Sequence, residues 1–196
     1  MENSNKNIFV LFSPGLGGNH VANLLSTDNR YKTRANSNDY QSHKEQNAHI
    51  ILNNLDNLPK VKENFGNIFC GHFGEYYWQA LRKNLARFKN RQIIIIELPK
   101  DNNSLAFKRY KKYTKLNEYF IEEQRSLYSF YSIEQFFKEN DLFSVPSEMI
   151  FNNSVNKFYD YANQEMNFNL DYSECNKMHN IWINKIKDYL EHETVS

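Results

Sequence analysis

Thiol chemistry is nearly missing from this chain: Cys70 and Cys175 are its only cysteines. Two cysteines make no disulfide framework, and alone they hold no zinc. Charge of one sign is missing as well. Lys and Arg number 24 against 23 Asp and Glu, a formal net charge of +1, so whole-chain electrostatics give no case for nucleic acid or an anionic membrane surface. No stretch approaches the roughly 20 apolar residues that span a bilayer. The polar opening, Met1 to Asn7, carries no signal-peptide core, and a cytoplasmic location is expected. Internal repeats, long linkers and low-complexity tracts are also lacking. What remains is a chain of 196 residues, 40% hydrophobic and 15% aromatic. That suits a single domain over 1–196 with a real core.

The segment from Ile8 to Leu25 is the most informative. An apolar run, Ile8-Phe9-Val10-Leu11-Phe12, is long enough for one buried strand and ends at Ser13. A turn of Pro14, Gly15, Leu16, Gly17 and Gly18 follows, and then Val21, Leu24 and Leu25 recur at helical spacing. Strand, glycine turn and helix start together aim backbone N–H groups at one spot. That spot also receives the positive end of the helix dipole, which favours a phosphate or sulfate. Glycine lets the backbone approach such an anion closely.

The rest of the chain alternates strand and helix. The patterning predicts strands at 7–13, 67–71, 91–97 and 142–145, and helices at 19–27, 75–89, 103–140 (with a break near 114–117), 154–164 and 173–191. Residues 28–45 read as a polar surface excursion, and 46–56 lean to helix. Four consecutive isoleucines, Ile93 to Ile96, mark a strand buried on both faces. The expectation is an α/β domain of three layers, α/β/α, with a central parallel sheet of four or five strands. In such sheets ligands bind beyond the carboxyl ends of the strands. The turn at 14–18, His72 and the segment 97–104 all follow predicted strands and should face one crevice.

The turn is not the nucleotide P-loop sequence, which requires Lys and Ser or Thr after its last glycine; here Asn19 and His20 stand there. That argues against a magnesium-dependent kinase or NTPase, and no metal is expected. The arrangement resembles the sulfotransferase family instead, a branch of the P-loop fold. Four segments carry the resemblance: the strand–turn–helix at 8–25; Phe69-Cys70-Gly71-His72-Phe73; Ile93 through Glu97-Leu98-Pro99-Lys100-Asp101 to Ser104; and the tail, with Val145-Pro146-Ser147-Glu148-Met149-Ile150 and His179-Asn180-Ile181-Trp182. The resemblance implies 3′-phosphoadenosine 5′-phosphosulfate as cofactor and a small-molecule or glycan hydroxyl or amine as acceptor. It implies His72 as catalytic base, with Gly15, Leu16, Gly17, Gly18, Asn19 and His20 around the 5′-phosphosulfate. Lys100 and Ser104 would touch the 3′-phosphate, and Asp101 would cap the following helix. Nucleic acid and membrane are not expected partners, and the oligomeric state is open.

Two positions depart from the family. Gly15 stands where a Lys or Arg is usual, and Glu97 where an arginine meets the 3′-phosphate. A carboxylate there repels phosphate by about 1–4 kcal/mol at a few ångströms, depending on the local dielectric. Replacement cations would come from Lys100, Lys108, Arg109 or a protonated His20. Plainer readings stand beside these. The turn equally serves as a tight connection, His72 as a turn residue, and His20 as the first exposed helical residue. Pro99-Lys100-Asp101 equally makes an ordinary strand-to-helix turn. Residues 108–113 read as a solvated basic helix face, His179 and Trp182 as packing or capping, and Cys70 as inert packing; Cys175 has no evident partner. Two other functions therefore stay open: a non-catalytic relative binding an anion or a protein, and a divergent nucleotide-dependent phosphotransferase.

Overall fold

A computed structural model describes residues 6–13, 15–33, 66–72, 90–115 and 141–192. Its strands are β1 (Asn7–Phe12), β2 (Tyr31–Thr33), β3 (Gly66–His72), β4 (Arg91–Ile96) and β5 (Asp141–Val145). Its helices are α1 (Gly18–Leu25), α2 (Leu105–Thr114), α3 (Ser147–Ile150), α4 (Asn156–Gln164) and α5 (Tyr172–Glu191). The five strands form one sheet in the order β2-β3-β1-β4-β5, and every neighbouring pair is parallel. The α/β class and the parallel sheet thus agree with the sequence reading. The helices expected at 46–56 and 75–89, and all of the stretch expected to be helical after Lys115 (116–140), lie outside the described residues.

β1 and β4 sit at the centre because they are apolar on both faces. Ile8, Val10 and Phe12 share one face with Cys70, Ile94 and Ile96, and α1, α2, α4 and α5 cover that side with one continuous core. Phe9, Leu11 and Ile93 alternate to the other face and are equally buried, each 0% exposed. Phe9 stacks there on Phe69 with ring centroids 5.1 Å apart. β2 was not expected. It is a three-residue edge strand inside the segment read as a surface excursion, held in parallel register from Tyr31 against Gly66 to Thr33 against Ile68. Asp28 anchors its start. This buried carboxylate accepts from Arg30 N and Nε, both at 3.0 Å, and from Asn169 N at 2.8 Å. Burial alone would raise the Asp28 carboxyl, but Arg30 and the Asn169 amide outweigh it and hold it below its ordinary value.

Strand order positions the site. After β1 the chain runs outward past β3 to β2, and after β4 it runs outward the other way to β5. The carboxyl ends of β1 and β4 therefore send their connections in opposite directions, and the crevice between them is where open parallel sheets bind ligands. The turn after Phe12 and the segment after Ile96 both open there. β3 lies on the other side of β1, in a register that puts His72 beside Phe12.

Candidate functional site

The turn after β1 is closed by Leu16 N donating to Ser13 O at 3.1 Å. Gly15 and Gly17 sit at φ +87° and +75°, a region that favours glycine. Packing also requires them. A Cβ on Gly17 would stand 2.9 Å from Trp182 Cζ2, one on Gly15 would stand 3.0 Å from Tyr113 Cβ, and one on Gly18 would meet the Phe12 ring at 1.9 Å. The glycines therefore admit the protein's own aromatic side chains, a reason the sequence does not display. Behind the turn, α1 starts with Gly17 as N-cap, with no side-chain cap and no acidic residue in its first turn. α4 likewise starts without a side-chain cap, whereas Ser104 and Asp171 accept from first-turn amides of α2 and α5. The positive end of the α1 dipole is left without an anionic or hydroxyl partner from a capping side chain.

His20 departs from the exposed position considered for it: it is only 3% exposed. Its ring stacks on Trp182 at 4.1 Å with a 7° tilt, and its Nε2 lies 3.2 Å from His179 Nδ1. His179 Nε2 lies 2.7 Å from Asn152 O. A carbonyl only accepts, so the His179 hydrogen sits on Nε2 and its Nδ1 is the acceptor. His20 then donates from Nε2, which leaves its buried Nδ1 bare and without a protein partner. Asn19 Oδ1 is likewise buried without a partner. Burial, then His179 and Arg109, push the His20 pKa well below 6.5. Burial also lowers His179, opposed in part by the bond to Asn152 O. A neutral His20 does not supply the positive charge expected of it.

Arg109 occupies the ground on which that charge was sought. It was read as part of a solvated basic face, and Lys108 and Lys111 are exposed, but Arg109 turns inward. Its Nε donates to Gly15 O at 2.9 Å, and its guanidinium carbon lies 6.0 Å from the Trp182 ring centroid. Burial pushes its pKa down, and only the hydroxyls of Tyr189 and Tyr113 oppose that. Among the described residues no carboxylate pairs with it. The inward turn has a sequence signal: Ala106, Arg109 and Tyr113 follow 3- and 4-residue spacing along one helical stripe.

The turn after β4 is satisfied from within. Glu97 pairs with Lys100, Oε2 to Nζ at 2.7 Å, and accepts from Ser144 Oγ. Burial alone would raise the Glu97 carboxyl, but Lys100 and Ser144 outweigh it and lower it. Glu148 Oε1 accepts from Lys100 N at 2.5 Å and Asp101 N at 3.1 Å. Ser104, expected at a 3′-phosphate, caps α2 by accepting from Phe107 N at 3.1 Å. Asp101, expected as that cap, instead accepts from Asn103 N at 2.8 Å. The physical reason is position. Ser104 immediately precedes Leu105, the first residue of α2, and so is the residue whose side chain reaches the helix amides. Glu148 lies in α3, which follows β5 after Pro146.

Gly15, Leu16, Gly17, Gly18, Asn19 and His20 follow β1 as one turn and helix start. His72 ends the strand beside β1, and Lys100 and Ser104 follow β4. Sequence reasoning missed Arg109's inward turn, the His20–His179–Asn152 chain and Glu148. Cys70 is buried, its thiol pushed up to about 12 by burial. Cys175, expected to stand alone, has Thr27 Oγ1 at 3.2 Å from its Sγ. Among the described residues no cluster of three His, Cys, Asp or Glu side chains is placed to hold a metal ion, and no helix is long and apolar enough to cross a membrane. Neither family models nor curated proteins give a match to the chain.

Proposed function

We propose that this chain is a sulfotransferase-like protein of the three-layer, P-loop type. It holds the phosphosulfate of 3′-phosphoadenosine 5′-phosphosulfate at the turn 15–18 and passes the sulfuryl group to a hydroxyl or amine of a small molecule or glycan. The observation that carries this reading is the α1 N-terminus, uncapped by any side chain, behind a glycine turn where β1 and β4 send the chain apart. Backbone amides and the helix dipole there suit a leaving phosphate, and pre-set donors need no reorganisation as charge develops. His72, at the end of the adjacent strand, takes the acceptor's proton in this scheme, since an imidazole titrates near neutral pH. The residues fit the phosphosulfate end of the donor. They do not fit its 3′-phosphate, because Glu97 and Glu148 already hold Lys100 and the amides of the β4 turn; no step is routed through that group.

Those two carboxylates favour a second reading, a non-catalytic relative that binds an anion at the same turn. A melting screen separates the two, because a ligand that binds only the folded state stabilises it by mass action. The enzyme gains stability from 3′-phosphoadenosine 5′-phosphate. The non-catalytic relative responds only to sulfate or phosphate, and a phosphotransferase responds to ATP with magnesium. His72→Ala should abolish sulfuryl transfer with ligand binding intact; undiminished turnover removes its role. No stabilisation by any of these ligands would end the anion-binding reading altogether.

A further inference from the structure

We propose that Arg109 is the cation of the turn: its guanidinium binds a terminal phosphate or sulfate group together with the α1 N-terminus. The inference rests on the anion-binding reading and names the residue that gives it charge. Three observations converge on it. Arg109 reaches the turn from α2, with Nε fixed on Gly15 O at 2.9 Å. No protein acceptor takes either of its two amino groups among the described residues, and its electrostatic neighbours are the tyrosines 113 and 189 rather than a carboxylate. The turn itself lacks the side-chain cation and the helix cap that would otherwise complete it.

A largely buried guanidinium with no counter-ion among the described residues is costly, and proteins pair such charges. A fork already held by one nitrogen is rigid, so its remaining N–H groups meet a tetrahedral oxyanion with little further ordering. The bond to Gly15 O ties that fork to the turn that presents the helix amides. The buried, neutral His20 leaves the charge to Arg109. The shared chemistry is a tetrahedral oxyanion; pyrophosphate and sulfate serve as probes for its two sources.

Calorimetry on the full chain with pyrophosphate, and separately with sulfate, gives the Kd of each. Arg109→Gln should raise the Kd of whichever anion binds by about tenfold to hundredfold, the usual effect of losing a charged hydrogen-bond pair. Arg109→Lys keeps the charge without the fork and should fall between. Crystals of the unaltered chain soaked in tungstate supply a readout that needs no variant and that a merely structural arginine would not give: an anion within hydrogen-bond distance of an Arg109 amino nitrogen and of the 15–18 turn. An anion at the turn that does not touch Arg109, or an unchanged Kd in Arg109→Gln, overturns this inference and leaves the anion-binding reading standing. No binding of either anion in solution overturns both.

Discussion

Gly17→Ala tests the architecture of the turn most directly. Two costs add. At φ +75° and ψ +23° an alanine enters the left-handed region at a penalty of about 1–2 kcal/mol. Its methyl carbon would also stand 2.9 Å from Trp182 Cζ2, inside the roughly 3.5–4.0 Å of a relaxed carbon contact. Trp182 has little room to yield: it is 4% exposed, stacked on His20, and tilted against Phe151 at 4.9 Å between ring centroids. Overpacking of that kind costs about 1–3 kcal/mol. Urea unfolding at pH 7.5 should therefore show Gly17→Ala destabilised by about 2–5 kcal/mol with an unchanged m-value. Trp182→Phe removes the benzo edge that carries Cζ2. In that background Gly17→Ala should cost only the backbone part, about 1–2 kcal/mol. The difference is a coupling energy of at least about 1 kcal/mol between neighbouring sites. A cost below about 0.5 kcal/mol, the level of an ordinary surface change, or an equal cost in both backgrounds, would refute the claim that Trp182 and the left-handed backbone together demand glycine.

Four further outcomes are expected. His20 and His179 are both held below pKa 6.5, chiefly by burial, so the unfolded chain takes up protons that the folded chain refuses. Stability is full above pH 6.5 and is lost as the pH falls below it, by at most about 1.4 kcal/mol per pH unit per histidine; a flat urea profile from pH 7.5 to 5.5 contradicts the neutral pair. Ser104→Ala should cost about 1 kcal/mol by urea unfolding, since it removes the cap of α2; no loss contradicts the cap. Asp28→Ala should cost about 3 kcal/mol in the same assay, because it strips a buried acceptor from the start of β2 and from the Asn169 amide; a cost under about 1 kcal/mol contradicts that role. Glu148→Ala opens the amides of Lys100 and Asp101 and removes a charge, so calorimetry should show 3′-phosphoadenosine 5′-phosphate binding up to about fivefold more tightly. Unchanged affinity argues that the 3′-phosphate does not sit at this turn.

The frame of the fold was legible where local pattern and global burial agree. The apolar run before Ser13 and the four isoleucines of β4 announced central strands because both their faces are covered. The long α5 showed its period over many turns, and Leu142 to Val145 stood out before Pro146. β2 was hidden because three residues at an edge hold no readable alternation, and its register comes from β3 and the Asp28 clasp. At the candidate site the turn was legible and its surroundings were not. Glycines after a strand marked the turn between β1 and α1, but the aromatic rings that fill the space beside them come from distant sequence. The contact that fixes the His20 tautomer joins residues 159 positions apart, and no local signal reports it. Arg109 was masked by Lys108, Lys111 and Lys112, which gave its helix a uniformly basic look; only the stripe through Ala106 and Tyr113 separates it from them.

The dependence of the first turn on α5 has a consequence for biosynthesis. β1 and the glycine turn leave the ribosome early, yet Trp182 and His179, the rings that close over them, follow some 159 residues later. At about 5–20 residues per second that interval is roughly 10–30 seconds. Throughout it the nascent chain carries the glycine turn with Gly17 and His20 uncovered by those rings.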